Sequence, residues 1–442
     1  PPPGALEGDV TKRRVQPARK TSARKRRPRT RRGADRPKVL VIGDAIASTG
    51  FARVLHSIIE RLKDRYEFHH VGINYYGDPH DLDWRIYPAC AEGDVLGTNR
   101  LHGLIRLVRP DLVFALNDIW VLAGYMERLR ELPERPKTLM YCPIDAGPIR
   151  SGTVERLRGL DRLVTYTRFG KRVVDDAVAE LRGREPGFPF AEVAIIPHGV
   201  DTHRFYPLNG GPEDVRARRR AVREELLPGR PDLWDGFLVF NGNRNQPRKR
   251  IDITLQAFAR FAEGLPPNVA LYLHMGIEDL GWHLPELARR YRIEDRLVLT
   301  DGSHSTPGVP DSMLNRIYNA CDVGVNTSVG EGWGLVSFEH AATGAAQVVP
   351  RHSACEELWG GSGVLVEPAV TVVTERILTE GKLVAPEAVA DELARLYRDP
   401  ELLASVSEAS YRTATRPEYG WDRVAEQWDE LFREVLSSGR EV

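Results

Sequence analysis

The chain has 442 residues, enough for two or three domains of ordinary size, and its 42% apolar content can supply their cores. No run of ~18 apolar residues occurs, which excludes a helix that spans a bilayer, and the first residues lack the apolar centre of a secretory signal, so the expected location is the cytoplasm. The net charge of zero is a cancellation: residues 1–38 carry 14 Lys/Arg against 3 Asp/Glu, the remainder 48 against 59.

Residues 1–37 hold runs such as Arg24-Lys25-Arg26-Arg27 with prolines and few apolar side chains. Such a segment cannot bury enough surface to offset its chain entropy and is expected to be disordered. Residues 12–38 read either as an electrostatic arm for nucleic acid or another polyanion or as a solvated extension. No aromatic residue is present there to stack on bases.

From Lys38 onward, short apolar runs alternate with amphipathic stretches. Strands are predicted at Val39–Ile42, Val71–Tyr76, Leu112–Leu116, Thr138–Cys142, Leu163–Tyr166 and Val193–Ile196, with helices between them such as Ala52–Leu62, Val121–Leu132 and Lys171–Leu181. This is repeated β-α-β and implies a parallel sheet covered on both faces. Residues 206–236 then collect prolines and glycines around one charged helix. Alternation resumes with strands at Phe237–Phe240, Val269–His274, Leu297–Leu299, Val323–Val325, Gln347–Val349 and Val364–Val366, and helices near Ile251–Ala262, Met313–Asn319, Leu335–Ala342 and Glu387–Tyr397. Two successive runs of βα units predict two Rossmann-like domains, 38–205 and 206–418. The amphipathic stretch 419–436 is expected to cross back to the first. Cys90, Cys142, Cys321 and Cys355 form no CxxC pair and read as free thiols.

Ligands of open parallel sheets bind beyond the carboxyl ends of strands, and unusual residues gather there. The turn Gly43–Phe51 is neither a Walker loop nor a GxGxxG fingerprint. It could present N–H groups to an anion or sugar, or be an ordinary βα turn. The segment Asn241–Arg250 crowds four cations and four amides around Pro247. Arg244 and Lys249 could converge on a diphosphate, or the loop could be a solvated basic one. The glycine-rich turn Gly330-Glu331-Gly332-Trp333-Gly334 precedes a helix carrying Glu339. Its N–H groups suit phosphate and its carboxylates suit sugar hydroxyls, although Glu331 could also be a helix cap. Asn117, Asp118, Asp145 and His198 stand at further strand ends. Each reads as a cleft residue or as a turn-former.

Together these residues resemble the retaining GT-B glycosyltransferases of the GT4 family, over Lys38 to about Phe432. Glu331 to Glu339 matches the family's E-x7-E motif, with Trp333 where Phe is usual. Arg244 and Lys249 match its Arg…Lys pair. Ile196–Asp201 is similar to its inter-domain signature. Departures are the single glycine Gly50 in the N-terminal loop and Arg250 where glycine commonly follows the Lys. The resemblance implies an α/β fold of two Rossmann-like domains facing across a cleft and transfer of a sugar from a nucleotide diphosphate to an acceptor hydroxyl, with no metal and no cofactor. It implies that Arg244 and Lys249 hold the diphosphate, that backbone at Trp333, Gly334, Leu335 and Val336 adds N–H groups, and that Glu339 binds the ribose. Glu331 would face the sugar, Gly50 would approach the diphosphate or acceptor, and Asp145 would stand in the catalytic region. Asn117, Asp118 and His198 are assigned to the acceptor side of the cleft. Three alternatives stay open: an epimerase or phosphorylase on the same fold, a transferase acting on modified nucleic-acid bases through the basic arm, and a non-catalytic nucleic-acid-binding scaffold.

Overall fold

The computed structural model describes residues 36–439, apart from Ser48, Glu92, 209–214 and 301–306. The basic arm, for which disorder and polyanion binding are expected, lies almost wholly outside the described residues.

Two parallel sheets organise the rest. The first contains β1 (Lys38–Asp44), β2 (Glu67–Ile73), β3 (Arg85–Pro88), β4 (Leu112–Leu116), β5 (Lys137–Cys142), β6 (Arg162–Thr165) and β7 (Ala194–Ile195), in the order β3-β2-β1-β4-β5-β6-β7. The second contains β8 (Phe237–Asn241), β9 (Val269–Leu273), β10 (Leu297–Leu299), β11 (Val323–Val325), β12 (Ala346–Pro350) and β13 (Val364–Val366), in the order β10-β9-β8-β11-β12-β13. Both orders reverse after their first strand. The switch points, β1 beside β4 and β8 beside β11, are where such sheets leave a crevice. The central strands are buried on both faces, which explains their nearly unbroken runs of Val, Leu and Phe.

The helix Gly50–Leu62 begins at Thr49, whose hydroxyl accepts the Ala52 amide at 3.1 Å, and it lays Val54, Leu55, Ile58 and Ile59 on the first sheet. On the same side runs the last helix, Trp421–Ser437. Its Trp428 ring lies 4.9 Å from Phe114 and 4.7 Å from Tyr141, and Phe432 lies 5.3 Å from Tyr66. The Tyr66 hydroxyl donates to buried Asp429 at 2.8 Å, and Arg65 pairs with the same carboxylate. The C-terminus is thereby stitched to the N-terminal sheet.

The charged helix of the linker, Val215–Leu226, is a structural tie. Arg223 donates to the Ala320 and Gly236 carbonyls at 2.7 and 2.8 Å and pairs with Asp322 at 2.6 Å, while Arg219 reaches the same carboxylate at 3.0 Å. Asp322 also accepts the Leu238 amide at 2.7 Å. Buried guanidiniums persist here because carboxylate and carbonyls share their donors.

Some elements differ from their sequence reading. The second strand runs Glu67–Ile73, not Val71–Tyr76. Its first half holds His69 and His70, whose polarity masks a buried strand; His70 Nε2 meets the Gly43 carbonyl at 3.2 Å. The short edge strand β3 and an antiparallel hairpin, β14 (Pro368–Val373) with β15 (Glu380–Val384), were not legible as strands. The hairpin stands outside the second sheet. Its Glu380 amide donates to Gly147 of the first half at 3.0 Å, and its Lys382 amide to Val329 at 2.8 Å. All four cysteines are free. Among the described residues, no helix is long and apolar enough to cross a membrane.

Candidate functional site

The loops at the two switch points face one another. After β8, a short turn at Pro247–Lys249 sets Arg248 and Lys249 side by side, and Arg250 closes it in the left-handed region (φ 49°) before the next helix. After β11, Asn326, Ser328 and Glu331 lead into the glycine turn. Gly334 (φ 92°) then opens the helix Leu335–Ala341, a conformation that a side chain would strain. The Leu335 and Val336 amides belong to the first turn of that helix, where no intrahelical acceptor exists.

Glu331 is the hub. One carboxylate oxygen meets Lys249 Nζ at 2.5 Å, with Asn326 Nδ2 and Ser328 Oγ each at 3.3 Å. Arg248 stands 3.9 Å from the other oxygen and donates to the Gly330 carbonyl at 2.6 Å. Ser353 Oγ accepts the Glu331 amide at 3.2 Å, and His352 bridges Ser353 (3.0 Å) to the Ser328 carbonyl (3.1 Å). Burial alone would raise the Glu331 carboxyl, yet Lys249 and Arg248 overcome it and hold the group at about 2. Burial keeps His352 neutral, at about 4.

The first domain brings carboxyls shifted in the opposite direction. Asp145 meets Arg248 at 3.2 Å, and the Gly332 amide also reaches its carboxylate. The turn has room for this approach because Gly330 and Gly332 lack side chains: a Cβ on Gly330 would sit 2.6 Å from the Asp145 carbonyl oxygen. Burial raises Asp145 against the pull of Arg248, and burial with the nearby Asp145 charge lifts Asp118 to about 7. Asn117 holds the turn by accepting the Asp118 amide at 2.8 Å. Asp44, fixed by Thr49 Oγ1 (2.6 Å) and Asn74 Nδ2 (3.1 Å), is raised by burial and feels Arg244 from the other domain. Gly50 lets the two halves close together; a Cβ there would lie 3.3 Å from Leu335 Cδ1.

The structure therefore gathers Lys249, Glu331 and Asp145 with the glycine turn. Three expected site residues are placed differently. Arg244 does not converge with Lys249; it makes a two-pronged pair with Asp279 at 2.6 and 3.0 Å and remains half-exposed. Arg248 takes the place beside Lys249. His198 is buried beneath the cleft: its Nδ1 and the Tyr141 hydroxyl are 2.7 Å apart, its ring packs on Tyr166 and Trp333, and burial drops it to about 3. Trp333 is 3% exposed, its indole stacked on Phe338 at 4.8 Å and edge-on to Tyr419, so the ring is part of the core and does not line the cleft. Glu339 is buried, accepts the Tyr318 hydroxyl at 2.9 Å and faces Arg53 of the first domain at 3.5 Å. Arg53 continues to Asp311 at 2.8 Å, which also holds Arg204. Sequence reasoning missed Arg248, Arg53, Ser353 and His352. For Arg248 a signal existed, because Pro247 starts a turn that carries neighbouring residues to one side; the others come from distant segments. Asp81 and Asp83 lie on the surface, Asp83 on Lys63 at 2.6 Å, and among the described residues no cluster of three metal-ligating side chains occurs.

Residues 236–399 match the family described as Glycosyl transferases group 1. A D-inositol 3-phosphate glycosyltransferase of Thermomonospora curvata is 30% identical over 288 residues, covering 62% of this chain and 57% of the relative. One from Corynebacterium urealyticum is 28% identical over 260 residues, covering 58% and 55%. The chain thus spans about half the length of the curated relatives it matches. Among solved structures, Anabaena HepE in complex with UDP and glucose superposes with a TM-score of 0.65 at 17% identity, over 90% of this chain and all of the other. Sucrose-phosphate synthase of Thermosynechococcus elongatus gives 0.67 at 16% identity, over 92% and 100%. Residues 236–399 thus match the group 1 glycosyltransferase domain, and the two parallel sheets share the GT-B fold of these solved structures.

Proposed function

We propose that the protein transfers a sugar from a nucleoside diphosphate sugar to an acceptor hydroxyl with retention, using its own cations rather than a metal. The observation that carries this reading is the buried cluster in which Lys249 and Arg248 surround ionised Glu331 beside the glycine turn.

Cleaving the bond between the sugar anomeric carbon and the phosphate oxygen leaves charge on the diphosphate. Lys249 has three donors and gives one to Glu331, so it can still meet a phosphate oxygen, as can the amides of Leu335 and Val336. Fixed donors in a water-poor site stabilise that charge without reorganisation. Glu331 is then a positioning residue that holds Lys249 and opposes the burial that lowers the pKa of its ammonium. The acceptor hydroxyl attacks on the face the diphosphate leaves, its proton passing to the departing phosphate oxygen. The bond formed and the bond broken thus lie on one side of the sugar. Ribose hydroxyls would meet Glu339 in place of Arg53.

The test is a panel of nucleotide sugars incubated with the full chain and read by mass spectrometry. Release of nucleoside diphosphate from one donor is expected. Conversion of a donor to its epimer, or no turnover of any donor, would contradict the proposal.

A further inference from the structure

A cavity of about 440 Å³ opens on the side of Asp145 reached by the hairpin β14–β15. Its size lies within the ~300–1,000 Å³ range of small-molecule pockets. One wall comes from the first domain, with Ile149, Phe169 and Val173, and the opposite wall from the second, with Val329 and the strand Glu380–Val384. The hairpin is held in place by its backbone: the Glu380 amide on the Gly147 carbonyl at 3.0 Å and the Lys382 amide on Val329 at 2.8 Å. Asp145 belongs both to this cavity and to the donor turn, through Arg248 and the Gly332 amide. A molecule in the cavity would therefore lie next to the group that faces the donor.

The charges of the lining indicate what enters. Arg248 answers Asp145, and Ser151 with Arg184 answers Glu180. Asp176 and Glu380 remain against the single ammonium of Lys382, so the lining is acceptor-rich and net negative. A phosphomonoester would add up to two negative charges to this site, whereas hydroxyls offer donors to its carboxylates. Phe169, Val173 and Ile149 supply an apolar face for a ring.

We propose that this cavity is the acceptor site, that it takes an unphosphorylated sugar or cyclitol, and that the hairpin β14–β15 is the element that sets this preference. The inference rests on the transferase reading. The test uses the full chain with UDP-glucose as donor probe and paired acceptors: a set of neutral mono- and disaccharides and cyclitols, each beside its phosphomonoester. Product formation is read by mass spectrometry, and UDP affinity by calorimetry. The expected result is kcat/KM at least 10-fold higher for a neutral acceptor than for its phosphate. Glu380→Lys and, separately, Asp176→Lys should shrink that ratio at least 10-fold while the Kd for UDP stays within 2-fold. UDP binding and UDP-glucose hydrolysis with transfer to no neutral acceptor, preference for the phosphates, or an unchanged ratio in both variants would overturn the acceptor assignment alone. Absence of both UDP binding and hydrolysis would overturn the donor reading and the acceptor site with it.

Discussion

The two sides of the cleft shift the same functional group in opposite directions. On the second domain, Glu331 is ringed by Lys249, Arg248, Asn326 and Ser328 and held near 2. On the first, Asp118, Asp145 and Asp44 are raised, Asp118 to about 7. Burial pushes every one of them upward; what differs is the supply of cations. The Glu331 side is prewired by its own cations, and preorganisation of that kind would suit the proposed stabilisation of a departing diphosphate. On the first domain Asp145 shares Arg248 with Glu331, and Asp44 is held by the neutral donors Thr49 and Asn74.

The largest effect should come from breaking the donor side. Lys249→Ala removes a phosphate donor and strands buried Glu331 with Arg248 at 3.9 Å. Transfer should fall by about 10²–10³-fold or more, and stability by about 3 kcal/mol, the usual cost of opening a buried pair; kinetics and denaturant melts check both. Glu339→Ala should raise the KM for the donor by about 10–100-fold, ~1.4 kcal/mol per decade, with kcat less affected; an unchanged KM in steady-state kinetics would assign Glu339 to Arg53 alone.

Asp118→Asn sharpens the other side. Its folded-state carboxyl is raised above the usual 3.8, so its contribution to stability is fully present below pH 3.8 and is lost as pH rises through about 7. The variant should therefore be more stable than the wild type above pH 7, by about 1–2 kcal/mol after solvent screening, and the gain should vanish toward pH 4. Melts across that range read it directly. Glu331 runs the other way: its depressed carboxyl contributes stability above the ordinary value of 4.5 that is lost as pH falls toward 2. Arg244→Ala should be the mildest change, about 10-fold or less in kcat/KM, because its guanidinium is committed to Asp279; a loss as large as that of Lys249→Ala would show that Arg244 leaves Asp279 to grip the donor.

Much of the scaffold was legible because buried parallel strands read as continuous apolar runs. β2 was misplaced where two histidines interrupt such a run, and β14–β15 was missed because Pro368–Val373 packs no face on a sheet core. At the candidate site, the resemblance to the family's E-x7-E motif pointed to Glu331 and Glu339 and the basic run to Lys249; the structure pairs Glu331 with Lys249 and sets Glu339 against Arg53. Spacing could not reveal which arginine stands beside Lys249, because that depends on Asp279, thirty-five residues beyond Arg244, drawing its guanidinium aside. Nor could it show His198 and Trp333 turning into a common aromatic pack, since their partners Tyr141, Tyr166 and Tyr419 come from three separate elements.

The central claim is that the Lys249–Glu331 cluster grips a nucleoside diphosphate, and calorimetric titration of UDP into the wild type and Lys249→Ala tests it most directly. Binding by the folded wild type and at least 10-fold weaker binding by the folded variant is the predicted result; equal affinity of the two proteins for UDP would contradict it.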